Sequence, residues 1–227
     1  MRARTPRVAG AFLAAVVSVS MASGTTAAHA TVATAGSSRM AADLLSHLRT
    51  HALASASTYD RSAFLTYWAV KDGCDTRDGV LRRDLHQLVI NADGCRVMSG
   101  TETDPYTGEV LHYVRGHSTV DIDHVVALGD AWATGASTWS ASERKTFAND
   151  PLNLLAVSEH ANRVKGDDDA SEWLPRASYD CAYVARQVAV KAKYALWVTP
   201  AERSAMRTVL ARCPTQRTPT AGSSATK

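Results

Sequence analysis

The chain has 227 residues, 45 % of them hydrophobic and 21 % charged, with 25 Lys and Arg against 22 Asp and Glu and a formal charge of +3. This composition excludes a highly charged, low-complexity chain and allows one domain with a sizeable core. The positive excess is no mark of nucleic-acid binding, because Arg2, Arg4 and Arg7 account for it: without residues 1–30 the basic count falls from 25 to 22, equal to the 22 acids. Any recognition of phosphate must come from local placement of charge rather than a global field.

Residues 1–30 read as an export signal, with the three arginines, an apolar stretch from Val8 to Ala22, and a small-x-small cleavage site at Ala28-His29-Ala30. The apolar run is broken by Ser18 and Ser20 and is shorter than the roughly 20 residues that span a bilayer. The expected mature chain therefore starts near Thr31, is secreted, and has no membrane attachment once the signal is removed. Residues 31–38 and 215–227 are small and polar without apolar period, so both are predicted to be disordered, leaving 39–214 as one domain.

Along that domain, Met40, Leu44, Leu45 and Leu48 share a face and predict an amphipathic helix over 39–54. The aromatic stretch Tyr59 to Trp68 is ambiguous between helix and strand. A charged helix is predicted over TRDGVLRRDLHQL, followed by a turn at Asn91-Ala92-Asp93-Gly94. Short β-like runs then alternate with turns, CRVMSG, DPYTG, EVLHYV and HSTVDID. In the last of these Val120 and Ile122 alternate with Asp121 and Asp123, so a strand sends the acids to one face, and His124 is placed at its end.

After a Gly-Ala-Ser break, Ser140 with Glu143 three residues on predicts a capped helix, which Asn149-Asp150-Pro151 stops. Leu152 to Val157 reads as a short buried strand, and Ser158 caps a further helix, SEHANRVKGDDD, with Asn162 one turn inside. Trp132, Trp139 and Trp173 are assigned to the core.

Four cysteines, none in a C-x-x-C pair, argue against a zinc ribbon and for two disulfides. Cys181, Val184, Ala185, Val188 and Ala192 fall at helical spacing. Thr199-Pro200-Ala201-Glu202 then starts a second helix that carries Met206, Val209, Leu210 and Cys213 on one stripe. Two antiparallel helices joined by a short turn bring Cys181 beside Cys213, which leaves Cys74 for Cys95.

The order strand, insertion, strand, helix gathers Asp123 and His124, Asn153, and Asn162. Such a ββα unit can aim a carboxylate and a carboxamide at one divalent cation with an imidazole beside it, which is what phosphodiester hydrolysis needs. The segments DIDH, DPLNLLAV and HANRVKGD resemble the HNH (ββα-metal) nuclease motif. They are similar to the carboxy-terminal nuclease domain of GmrSD-type restriction enzymes and its secreted single-domain relatives, from about Tyr59 to Cys213, and to the HNH domain of RNA-guided CRISPR nucleases.

The resemblance implies an α+β, mainly helical domain around a ββα-metal (His-Me finger) core. It implies a secreted monomeric endonuclease acting on DNA or RNA. It makes His124 the general base, Asp123 and Asn162 the metal ligands, and Asn153 the residue that orients the histidine loop by hydrogen bonding. The motif's third position is Asn162 rather than histidine, which favours Mg²⁺ or Mn²⁺ over zinc. His160 or Asp167 are candidates for a further ligand, and Asp121 is placed outside the ligand set.

Each residue also has a structural reading. Asp123-His124 alone can be a structural pair, and Asn153 a turn residue after Pro151. Arg163 and Lys165 are candidates for phosphate contact, or a solvated helix face. Asp167 to Asp169 form a second cation site or an exposed turn. Arg77, Arg82 and Arg83 line a groove or pair with Asp78 and Asp84, and His117 is a candidate for a shuttle or a ligand. Two competing functions remain: an inactive secreted protein that binds nucleic acid or an envelope partner, and a secreted zinc protease or cell-wall hydrolase, against which the absence of H-E-x-x-H speaks.

Overall fold

The structure is a computed structural model that describes residues 38–224. The expected export signal, nearly all of the segment 31–38 and the last three residues lie outside that range. Helix α1 spans Ala41–His47 and buries Ala41 and Leu45. It is shorter than the periodicity predicts. Arg49 and His51 exchange backbone hydrogen bonds with Val198, and this pairing holds the chain extended beyond Leu48.

A short 3₁₀ turn at Arg61–Ala63 is capped by Asp60, whose side chain accepts from Ser62 N. Strands β1 (Val70–Lys71) and β2 (Cys74–Asp75) form a hairpin. Helix α2 (Thr76–Asp84) follows, with Asp75 as its N-cap. The predicted charged helix ends here rather than at Leu88: His86–Ile90 is strand β3, because its backbone pairs with β4, Val97–Thr103. Strand β5 (Val110–Val114) completes an antiparallel sheet of order β3-β4-β5.

Strand β6 (Val120–His124) pairs antiparallel with β7 (Leu154–Ser158). Between them lie α3 (Leu128–Ala133), a 3₁₀ turn at Ala136–Thr138, and α4 (Ala141–Ala148), started by the predicted capping box of Ser140 and Glu143. Helix α5 (Glu159–Lys165) follows β7 directly, with the Ser158 hydroxyl accepting from Ala161 N. Helices α6 (Asp180–Lys193) and α7 (Pro200–Ala211) form the expected hairpin. Mixed α and β elements thus make a single domain.

The register Asp123↔Leu155 and Ile122↔Ala156 explains where the core sits. Val120, Ile122, Leu154 and Ala156 pack on Val80, Leu81 and Leu85 of α2. Leu155 and Val157 pack on Tyr183, Val184 and Val188 of α6 and on Leu45. A third cluster joins Phe64, Trp132 and Phe147 to Val190 and Leu196. The β6-β7 pair is therefore held on both faces, each buried large side chain contributing about 1.5–3 kcal/mol. All three assigned tryptophans pack against these clusters.

The two disulfides join Cys181 to Cys213 and Cys74 to Cys95, with Cα atoms 6.4 Å and 5.2 Å apart. They close loops of 32 and 21 residues, which corresponds to about 3–4 kcal/mol each. Of the segment 215–227, expected to be disordered, residues within 216–224 make hydrogen bonds to the rest of the domain. Arg217 bridges Met40, Thr218 N donates to Arg39 O, and the buried Arg186 guanidinium donates to the carbonyls of Ser223 and Ser224. Backbone partners, not apolar side chains, hold it. Among the described residues no helix is long and apolar enough to cross a membrane.

Glu102 on β4 is buried, and neither carboxyl oxygen has a hydrogen-bond partner. Burial first, then Asp84 and Asp104, pushes its carboxyl up to about 9. The unfolded carboxyl ionises first as pH rises, so the protein loses stability between about pH 4.5 and about 9. Glu102→Gln removes that titration. The variant is expected to be more stable than the parent by a few kcal/mol at pH 8 and by much less at pH 5. Urea unfolding at both pH values checks this, and an equal difference at the two would refute it.

Candidate active site

At the end of β6 the alternation places Asp121 and Asp123 on the face that meets α5, and His124 on the other. His124 is buried, stacked on Trp68 with ring centroids 5.8 Å apart and planes 14° from parallel. Its Nε2 lies 2.9 Å from the Ala148 carbonyl. A carbonyl only accepts, so Nε2 carries the proton and the neutral ring keeps its lone pair on Nδ1. Burial is the main cause that lowers the imidazole's pKa to about 4, with Arg61 and Lys165 acting in the same sense against Ala148 and Asp123.

Asp123 is also buried, and both oxygens are engaged. Oδ1 accepts from Lys165 Nζ at 3.0 Å and Oδ2 from the Tyr106 hydroxyl at 2.5 Å. Lys165 donates further to the His124 carbonyl at 2.9 Å and has no exposed surface. This corrects its expected place on phosphates. The last turn of α5 points Lys165 inward, and the long stem carries the ammonium to the carboxylate. Tyr106, whose hydroxyl is held well above its usual range by burial and by Asp123, remains a donor.

Asn153 clamps the chain after His124. Its Oδ1 accepts from Val126 N at 2.8 Å, its Nδ2 donates to Val126 O at 3.1 Å, and its carbonyl accepts from Val125 N. Asn162 donates from Nδ2 to Asp121 Oδ2 at 3.2 Å. The carboxylate can only accept, so Asp121 fixes the amide's orientation and leaves Asn162 Oδ1 free for another ligand. Asp121 is thus more than a bystander.

Asp123, His124 and Asn162 line one cleft of about 340 Å³, with Tyr59, Arg61, Ile122, Ala127, Leu128, Gly166 and Asp167. Asp167 shares the cleft and accepts from Gly129 N at 3.1 Å. A side chain on Gly129 would collide with its carboxylate. His160 and His117 are exposed and line no part of it.

Arg163 is exposed and paired with Glu159. Arg83 binds Asp84 through two hydrogen bonds and also donates to Pro151 O and Leu154 O, while Arg77 donates to Val120 O. Those arginines hold the ribbon rather than line a groove.

Among the described residues no three His, Cys, Asp or Glu side chains converge as a metal-binding set. Asn162 Oδ1 has no partner among the described residues, and Asp123 can offer a cation only the remaining lone pairs of oxygens that already accept from Lys165 and Tyr106; with waters filling the rest, this oxygen set is of the kind a hard cation takes. Sequence reasoning missed Trp68, Tyr106, Arg61 and Tyr59. Only Tyr106 carried a local signal, within DPYTG, and it read as a turn.

A family model described as "GmrSD restriction endonucleases, C-terminal domain" matches residues 75–209, more than half of the chain. A protein of Arthroderma benhamiae named "Uncharacterized secreted protein" is 38 % identical over 180 residues, 78 % of this chain and 86 % of that protein. No solved structure matches.

Proposed function

The chain belongs to the family of GmrSD restriction endonuclease C-terminal domains, and from that premise we propose that it is a secreted, metal-dependent endonuclease that hydrolyses phosphodiester bonds of DNA. In this reading β6, β7 and α5 are an HNH-type ββα-metal core. The observation that carries it is the His124 ring, anchored through Nε2 to Ala148 O in a cleft shared with Asp123 and Asn162. The secreted relative and the export signal support action outside the cell.

His124 Nδ1 takes the proton from the attacking water as its oxygen bonds to phosphorus and the bond to the leaving oxygen breaks. Trp68 holds the ring plane, and the Asn153 clamp on Val126 fixes the chain that carries it. Asp123 and Asn162 would hold a magnesium or manganese ion, which when bound offsets charge on the phosphoryl and leaving oxygens. Lys165 and Tyr106 fix the Asp123 carboxylate, and Asp121 turns the Asn162 carbonyl away from itself. Arg163, exposed on α5 next in sequence to Asn162, would contact a substrate phosphate.

Supercoiled plasmid incubated with mature protein is expected to be nicked and linearised with Mg²⁺ or Mn²⁺ and left intact in excess chelator. The rate should fall as salt rises, without a discrete fragment ladder, because phosphate contacts dominate binding. Full activity in chelator would refute the metal requirement. Binding without cleavage in any divalent cation would leave a nucleic-acid-binding protein instead.

A further inference from the structure

Two cavities meet at one arginine. Arg61 lines the cleft of Asp123, His124 and Asn162, and also a second cavity of about 420 Å³ with Leu65, Thr66, Tyr67, Trp68 and Val70. Among the side chains lining the first cleft it is the one cation, facing Asp123, Asp167 and a neutral imidazole. Lys165 already compensates Asp123. Among the described residues the Arg61 guanidinium has no ion pair and no hydrogen bond, whereas Arg77, Arg83 and Arg163 are engaged. A phosphodiester entering beside His124 therefore meets a free planar fork suited to two phosphate oxygens.

The second cavity carries the complementary chemistry. Tyr67 is 84 % exposed with its ring open to solvent, Val70 is also exposed, and Trp68 lines this cavity while one of its ring faces stacks on His124. A large aromatic ring left uncovered on a cavity shared with an unpaired guanidinium matches the pairing of stacking and charge that binds unpaired nucleotides. A base within a duplex has both faces covered by its neighbours, so only an unpaired one can use the ring. Arg61 and Tyr67 lie before the family-matched region of 75–209, whose first residue, Asp75, also lines the second cavity.

We propose that Arg61 and Tyr67 form a subsite for the nucleotide adjoining the scissile phosphate, with Arg61 on a phosphate oxygen and Tyr67 stacked on an unpaired base. The location of the scissile phosphate rests on the function proposed above. The subsite makes single-stranded or locally melted DNA the better substrate.

The test uses a fluorescent oligonucleotide, single-stranded and as a duplex. Binding is read by anisotropy and cleavage by gel, for wild type, Arg61→Ala, Arg61→Lys, Tyr67→Ala and Tyr67→Phe, with melting curves as a control for folding. Tyr67→Ala is expected to weaken single-strand binding about tenfold and duplex binding much less, with Tyr67→Phe close to wild type. Arg61→Ala should weaken binding to both forms and flatten the salt dependence, with partial rescue by Lys. Wild type that cuts while both alanine variants bind and cut equally well overturns the subsite and leaves the nuclease reading standing. Wild type that binds with the expected losses but never cuts overturns the nuclease reading and keeps the subsite. Absence of binding overturns both.

Discussion

His124→Ala is expected to slow the cleavage step by about 10²–10⁴-fold, the usual contribution of a positioned general base, while substrate affinity stays near wild type. The size follows from how the ring is held. Nε2 is committed to the Ala148 carbonyl, so Nδ1 is the one ring nitrogen able to take a proton, and the stack on Trp68 holds the ring plane. Alanine leaves the Ala148 carbonyl without its donor and Trp68 without its stack. That costs about 1–3 kcal/mol, within the roughly 5–15 kcal/mol of a typical domain, so the fold survives. Single-turnover rates on plasmid, paired with melting curves, separate the two effects. A rate equal to wild type would make Asp123-His124 a structural pair and remove the general base from the mechanism.

Asp123→Ala and Asn162→Ala should fail differently, because each removes an oxygen from the cleft rather than the base. Their rates should need more magnesium or manganese to saturate. Asp121→Ala should show a weaker form of the same defect, since it releases the Asn162 amide from its fixed orientation.

The parts of the site written in local pattern were legible in the sequence. Alternation in VDID set which face the acids take, and the Ser158 cap set where α5 begins and so where Asn162 points. The α6-α7 hairpin was legible for the same reason, its capping box and stripes being local, and it brought Cys181 to Cys213. Residues whose role depends on long-range placement were not legible. Trp68 is 56 positions from the histidine it covers, and Tyr106 sits in a turn whose only visible feature was its turn chemistry. Leu85 to Leu88 carried helical composition, but sheet pairing of β3 with β4 overrode it.

Lys165 is the sharpest of these cases and leads to the second large effect. A lysine near the end of a short polar helix reads as solvated, yet this one has no exposed surface and joins Asp123 Oδ1 to the His124 carbonyl. Lys165→Met keeps most of the stem's volume and removes the charge, leaving Asp123 Oδ1 and the buried His124 carbonyl without their donor and the carboxylate without its counter-charge. Breaking a buried pair from one side costs about 3–5 kcal/mol. At about 2–4 °C per kcal/mol for a domain of this size, the melting temperature should fall on the order of 10 °C. Adding Asp123→Asn removes the uncompensated charge, so the double variant should recover part of the loss while remaining poorly active. The pair's coupling is then read from the double-mutant cycle rather than from either single change. Were Lys165→Met to melt with the wild type yet bind DNA more weakly, the ammonium would be free of Asp123 and facing phosphate, the surface role its sequence position suggests. The contrast between lost stability and lost affinity thus decides which partner the lysine serves.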